Sequence, residues 1–285
     1  MELNLISFVG ILLFSSGKSI KRIAVKYFTF QVNASVILFF IVLVKPYSQI
    51  NIEVAIGVIL MAKLGIAPSH TWFIRILSVL EWGSFMWMSI PQKVIPLFIM
   101  SVVVEISWFV QIIFASVLIS TTHSMSQLKI KKVLAASSVF SLNWVSIAML
   151  ASINNWVVFF LLYRVIAAIV IFCYALHSRL SFESNTVSGL IVTLSIIIMS
   201  GLPPSPLFFI KLDLFIMGVQ QSIMSLSLLV ITASLMMLYM YTNTALQVIV
   251  LSPSGKPYIR PLSVNIIYFR LTTLMIFSSL FMLAN

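Results

Sequence analysis

The chain has 285 residues, 61% of them hydrophobic and only 8% charged, with a mean hydropathy of +1.15. No soluble core of this length buries so much apolar surface while offering water so little polar surface, so an ordinary globular enzyme is excluded. The net charge of +11 does not point to nucleic acid, because the basic residues sit between hydrophobic runs, where they set membrane topology.

Read with a window of about 20 residues, the sequence predicts an all-α, polytopic transmembrane bundle of about ten helices within one domain, 1–285. The runs are too long, and too little alternating, for barrel strands. The expected crossings are 1–16, 23–44, 52–77, 85–102 and 106–121, then 133–152, 156–176, 187–222, 223–251 and 264–284. The odd-numbered connections hold Lys18, Lys21 and Arg22, then Arg75, then Lys129, Lys131 and Lys132, then Arg179, then Lys256 and Arg260. The even-numbered ones hold little beyond Lys45, so the odd loops face the cytoplasm or an equivalent matrix, and both termini the other side.

Two crossings carry a break. Residues 61–72, MAKLGIAPSHTW, put Lys63 inside an apolar run that Gly65 and Pro68 then interrupt. A charged lysine deep in hydrocarbon costs roughly 2.5–3.5 kcal/mol on insertion scales. Packing alone does not need that cost, although a lysine near a helix end can escape it by snorkelling. Proline frees backbone groups beside the charge, the arrangement expected where ions cross a membrane. Residues 199–213, MSGLPPSPLFFIKLD, repeat the theme with Gly201, three prolines and Lys211. The lysine precedes the proline by five positions in the first break (63 to 68) and follows it by five in the second (206 to 211). Such a reversal is what an inverted-topology repeat produces.

Lys93, in SIPQKVIP (89–96), is a third lysine framed by prolines at membrane depth. Burial disfavours the charged form of a lysine and a nearby carboxylate favours it, so a row of such groups can hand protons along. Glu2 is the candidate carboxylate for Lys63, against the simpler reading of a terminal residue at the water interface. Glu53 and Glu105 fall at crossing ends, Arg164 and Arg270 within apolar runs, and Asp213 two positions from Lys211 and so on another helix face.

The remaining motifs are negative. Gly17-Lys18-Ser19 lacks both the glycine that a phosphate-binding loop needs at position 12, which is Leu12, and the strand before it. Asn33-Ala34-Ser35 is a glycosylation sequon inside a crossing. Cys173 alone permits no intrachain disulfide and no cysteine-held cluster, and His70, His123 and His177 are scattered. No secretory signal peptide is expected, since the chain enters an apolar segment at once, carries Glu2 and shows no basic leading region.

Several stretches together resemble one family. Lys63 to Trp72 resembles the KLGxAPFHFW signature of NADH–ubiquinone oxidoreductase chain 2, the antiporter-like subunit of respiratory complex I. Residues 1–8 resemble its LEMNMLAF stretch; Lys26, Tyr27 and Phe28 with Gln31, Ala34 and Ser35 resemble IKYFLxQAxAS; Gln92, Lys93 and Pro96 resemble WQKxAP. Residues 131–144 resemble RKILAYSSIxHxGW, and Gly201 to Lys211 resembles GLPPLTGFLPKW. The matches run in the family's order over nearly the whole chain. The resemblance implies a core subunit of the proton-pumping membrane arm, in the mitochondrial inner membrane. Its partners would be the other membrane-arm subunits and the lipid bilayer. Glu2, Lys63, Lys93 and Lys211 would form its proton-transfer axis. It implies no cofactor in this chain, with NADH, FMN, iron–sulfur clusters and ubiquinone belonging to other subunits.

This chain departs from the family pattern at several points. The resemblance implies one further crossing ahead of Glu2, whose absence from this sequence is expected to reflect either a misassigned or truncated start or a shortened lineage. The chain also carries Ile74-Arg75 for a proline–glutamate, and has Pro91, Ser141 and Asn143 where tryptophan, histidine and glycine stand. Two other readings stay open on the residues alone. One is a stand-alone cation/proton antiporter, which shares broken helices and buried lysines but would want an aspartate within a crossing. The other is a structural scaffold, which leaves the three lysines unexplained.

Overall fold

In hydrocarbon every backbone donor and acceptor must be satisfied within the protein, which leaves the helix as the natural state of long apolar runs. The computed structural model describes residues 1–14, 17–44, 52–103, 106–127, 129–177, 185–203, 205–221 and 223–251. Every regular element among them is helical: α1 (Glu2–Phe14), α2 (Lys18–Val44), α3 (Ile52–Leu64), α4 (Thr71–Leu77), α5 (Trp82–Ser89) and α6 (Pro91–Val103). They continue as α7 (Ile106–Met125), α8 (Ile130–Ala151), α9 (Ile153–His177), α10 (Asn185–Ser200), α11 (Pro206–Gln220) and α12 (Met224–Leu251). Among the described residues, six stretches are long and apolar enough to cross a membrane. The chain is therefore a multi-pass membrane protein. The expected crossing 264–284, with Arg270, lies outside the described residues, as do Lys45, Glu105, Arg179, Lys256 and Arg260.

Both expected breaks are present. The 13 residues of α3 rise only about 20 Å, short of the roughly 30 Å of a hydrocarbon core, and α4 resumes after residues 65–70. Helices α10 and α11 divide the second broken run in the same way. A third interruption, at Ile90, divides the run expected to be continuous over 85–102. Pro91 has no N–H and crowds the residue before it, so Ile90 sits distorted at the edge of the helical region (φ −111°, ψ −75°), its N–H still on the Met86 carbonyl, and the next helix begins at the proline.

Packing divides the chain into two compact units, Met1–Ser116 and a second from Val117 onward. In the first, α1 lies on α2 and α5, α2 on α3, and α3 and α5 on α6. In the second, α9, α11 and α12 pack against α8, and α10 packs against α9 and α12. Every residue of α8 from Val133 to Ala148 is buried. Its small residues allow close helix approach, and Ser137, Ser138, Ser141 and Ser146 satisfy their hydroxyls on carbonyls one turn back. The Asn143 amide reaches across to Ser120 Oγ of α7 at 2.9 Å.

Candidate functional site

The first break is built around the way α3 ends. Gly65, at φ +71°, turns the chain left-handed; its N–H donates to the Ala62 carbonyl at 3.2 Å and the Ile66 N–H to that of Met61 at 3.0 Å. This is the paired-bond helix stop that glycine favours. A side chain at Gly65 would also meet Phe73 Cβ at 2.9 Å, so glycine is needed twice over. The Lys63 carbonyl, left without a helical partner, accepts a bond from Gln31 Nε2 of α2 at 3.2 Å. After the turn, Trp72 anchors α4 with its ring centroid 4.7 Å from Phe30 and 6.2 Å from Tyr27. His70 is buried, its Nδ1 3.2 Å from the Pro68 carbonyl.

That turn places the charges. Lys63 Nζ lies 3.7 Å from Glu2 Oε1, with the lysine side chain 3% exposed and that of Glu2 50% exposed. The sulfur of Met1 is 3.8 Å from the same amine. Lys93, 2% exposed, holds its amine 3.9 Å over the centre of the Phe73 ring, a cation–π contact made by the aromatic that packs against Gly65. Glu2, Lys63 and Lys93 all line one cavity, together with Asn4, Tyr27 and Gln92. A water centre has about 30 Å³ in which to sit there. That is enough for at least one molecule, and the polar walls suit it.

Lys211 belongs to the second unit and is placed by the second break. Gly201, at φ +80°, ends α10, and Pro206 opens α11 at the position where a missing N–H costs nothing. The Lys211 amine folds back over this turn and donates to the Ser200 carbonyl at 3.3 Å, against the negative end of the α10 dipole. It also stands 5.9 Å from the Trp144 ring centre. A methyl group at Gly201 would come within 2.8 Å of the amine, so this glycine makes room for the lysine as well as for the turn.

Three of the four expected site residues thus share one cavity, and the fourth occupies the corresponding turn of the second unit. The sequence reading met Asn4, Tyr27, Gln31 and Gln92 only as motif positions and assigned none of them to the site. Their signal was available, since polar amides within apolar runs are costly enough to suggest a role. Arg164 is 2% exposed and lies 5.0 Å from the Phe160 ring centre and 5.5 Å from that of Tyr163. Its three guanidinium nitrogens find no hydrogen-bond acceptor among the described residues. Asp213 is exposed on α11. No group of three potential metal-ligating side chains occurs among the described residues.

The chain is similar over most of its length to known proteins. It is 25% identical over 281 residues to NADH-ubiquinone oxidoreductase chain 2 of Locusta migratoria, covering 93% of this chain and 82% of that protein. It is 28% identical over 274 residues to the chain 2 protein of Lumbricus terrestris, covering 90% and 81%. No protein-family profile matches it. Among solved structures, it superposes on a chain of the Mrp complex from a Dietzia species with a TM-score of 0.75 at 14% identity, over 91% of this chain and 57% of that one. It superposes on a chain of respiratory complex I from Thermus thermophilus with a TM-score of 0.71 at 15% identity, over 97% and 70%. The likeness to these two chains is one of fold.

Proposed function

We propose that this chain, a homologue of NADH-ubiquinone oxidoreductase chain 2, is a core membrane-arm subunit of a proton-pumping NADH:ubiquinone oxidoreductase. It moves protons along Glu2, Lys63, Lys93 and Lys211, and the redox chemistry is carried by other subunits that hold NADH, FMN, iron–sulfur clusters and ubiquinone. Its place is the mitochondrial inner membrane, in contact with lipid and with the other subunits of the arm.

The observation that carries this reading is the cavity shared by Glu2, Lys63 and Lys93. A carboxylate, two buried amines and room for water are the parts that stepwise proton transfer needs. Each transfer breaks an N–H or O–H bond at the donor and makes one at the acceptor, and no electron changes hands. A movement of the Glu2 carboxylate toward or away from the Lys63 amine changes how firmly that amine holds its proton. This is how a conformational change driven by remote redox chemistry becomes proton movement. Lys211, held on a helix C-terminus rather than by a carboxylate, supplies a third amine, set against the backbone carbonyl of Ser200.

The assignment is tested on a native gel of mildly solubilised membranes, stained for NADH oxidation and probed for this chain. Comigration with a very large NADH-oxidising band is the expected result. Migration as a small species away from that activity would overturn it and favour a stand-alone cation/proton antiporter.

A further inference from the structure

Three side chains of the first unit form a polar cluster that the carboxylate–lysine axis does not explain. Gln92 Nε2 of α6 donates to the Asn4 backbone carbonyl of α1 at 2.9 Å and to Asn4 Oδ1 at 3.2 Å. Gln92 Oε1 accepts from the Tyr27 hydroxyl of α2 at 3.2 Å. Asn4 Nδ2 returns a bond to the Pro91 carbonyl, where α6 begins, at 3.2 Å. One amide therefore ties three helices together at the point where the run is broken by Pro91.

Two features argue that this cluster does more than hold the fold. Apolar residues would pack three helices at lower desolvation cost, since each polar group taken out of water must be fully rebonded. All three side chains also line the same cavity as Glu2, Lys63 and Lys93. Asn4 is two residues from Glu2, and Gln92 is next to Lys93. The Tyr27 ring is held edge-on by Phe8 at 5.4 Å and flanked by Trp72 at 6.2 Å, which fixes where its hydroxyl points.

We propose that Asn4, Tyr27 and Gln92 are positioning residues of the proton path: they fix the start of α6, and with it Lys93, relative to the Glu2–Lys63 pair, and orient the water that passes a proton between the two lysines. The inference rests on the proton-path reading above. In the step itself one lysine ammonium loses an N–H bond to a water oxygen, and that water gives a proton to the other lysine while it is the neutral amine. The water is regenerated and only the charge has moved. The three positioning groups keep their own protons.

The test uses Gln92→Leu and Tyr27→Phe in the assembled membrane complex, with Lys63→Ala beside them. Tyr27→Phe removes one oxygen and keeps the ring, so it decides the matter alone should Gln92→Leu fail to assemble. A misplaced reacting group costs up to about 100-fold, and a drop in coupled NADH turnover on the order of tenfold is expected. The pH profile should shift and the solvent deuterium isotope effect should rise, because proton transfer becomes limiting. A purely structural role would lower the amount of assembled complex and leave both of those unchanged. Normal turnover, pH profile and isotope effect in assembled Tyr27→Phe would overturn the proposal. If Lys63→Ala is impaired in that case, only the positioning role is lost; if it too is normal, the proton-path reading falls with it.

Discussion

A half-exposed carboxylate beside a buried amine is a poor stabilising device and a good switching one. With Glu2 at 50% exposure and 3.7 Å from Lys63, the carboxylate keeps its access to solvent and the pair is only partly desolvated. Glu2→Gln should therefore leave the thermal stability of the assembled complex nearly unchanged while slowing coupled turnover, and a melting curve with an NADH-oxidation assay separates the two. Lys93 has a different environment, with its amine over the Phe73 ring, so Phe73→Leu should reduce pumping by removing that contact. Comparing the protons pumped per NADH by Phe73→Leu and by the parent checks this. The lysines themselves were legible in the sequence, because a charge inside an apolar run is conspicuous. Their partners were less so. Phe73 is one aromatic among 22 phenylalanines, and nothing in the sequence marks it as the residue that meets both Gly65 and Lys93.

At the scale of the element, the two breaks share one device: a glycine at positive φ ends a helix, leaving a carbonyl for a side chain to bond. Gln31 takes the Lys63 carbonyl at the first break, and Lys211 takes that of Ser200 at the second. Gly65→Ala should cost about 1–2 kcal/mol for the left-handed backbone alone, with more from the clash against Phe73 Cβ, and should show as less assembled complex on a native gel. Gly201→Ala meets the flexible end of Lys211 instead, so beyond the same backbone strain it should displace the amine and reduce pumping in the complex that does assemble. Both breaks could be read from glycine and proline beside lysine. The interruption at Ile90 was visible in Pro91, but the apolar run outweighed it. The Asn4–Tyr27–Gln92 cluster was beyond reach, because its members lie 23 to 88 positions apart and meet only when three helices pack.

At the scale of the molecule, composition alone fixed the class: a chain this apolar with so few charges has to be helical and membrane-embedded. The helical segments followed from run lengths, and the described helices occupy those runs in order. The proton-path account also explains why each compact unit carries a broken helix with a lysine at the break, a feature that a scaffold would not need. Its central claim is that the buried lysines carry the pumped protons. The most direct measurement is the number of protons translocated per NADH oxidised, in sealed vesicles containing assembled complex with Lys63→Ala. The account predicts a clear loss of pumping in a complex that still assembles around its neighbours. An assembled Lys63→Ala complex with an undiminished proton-to-NADH ratio would contradict it.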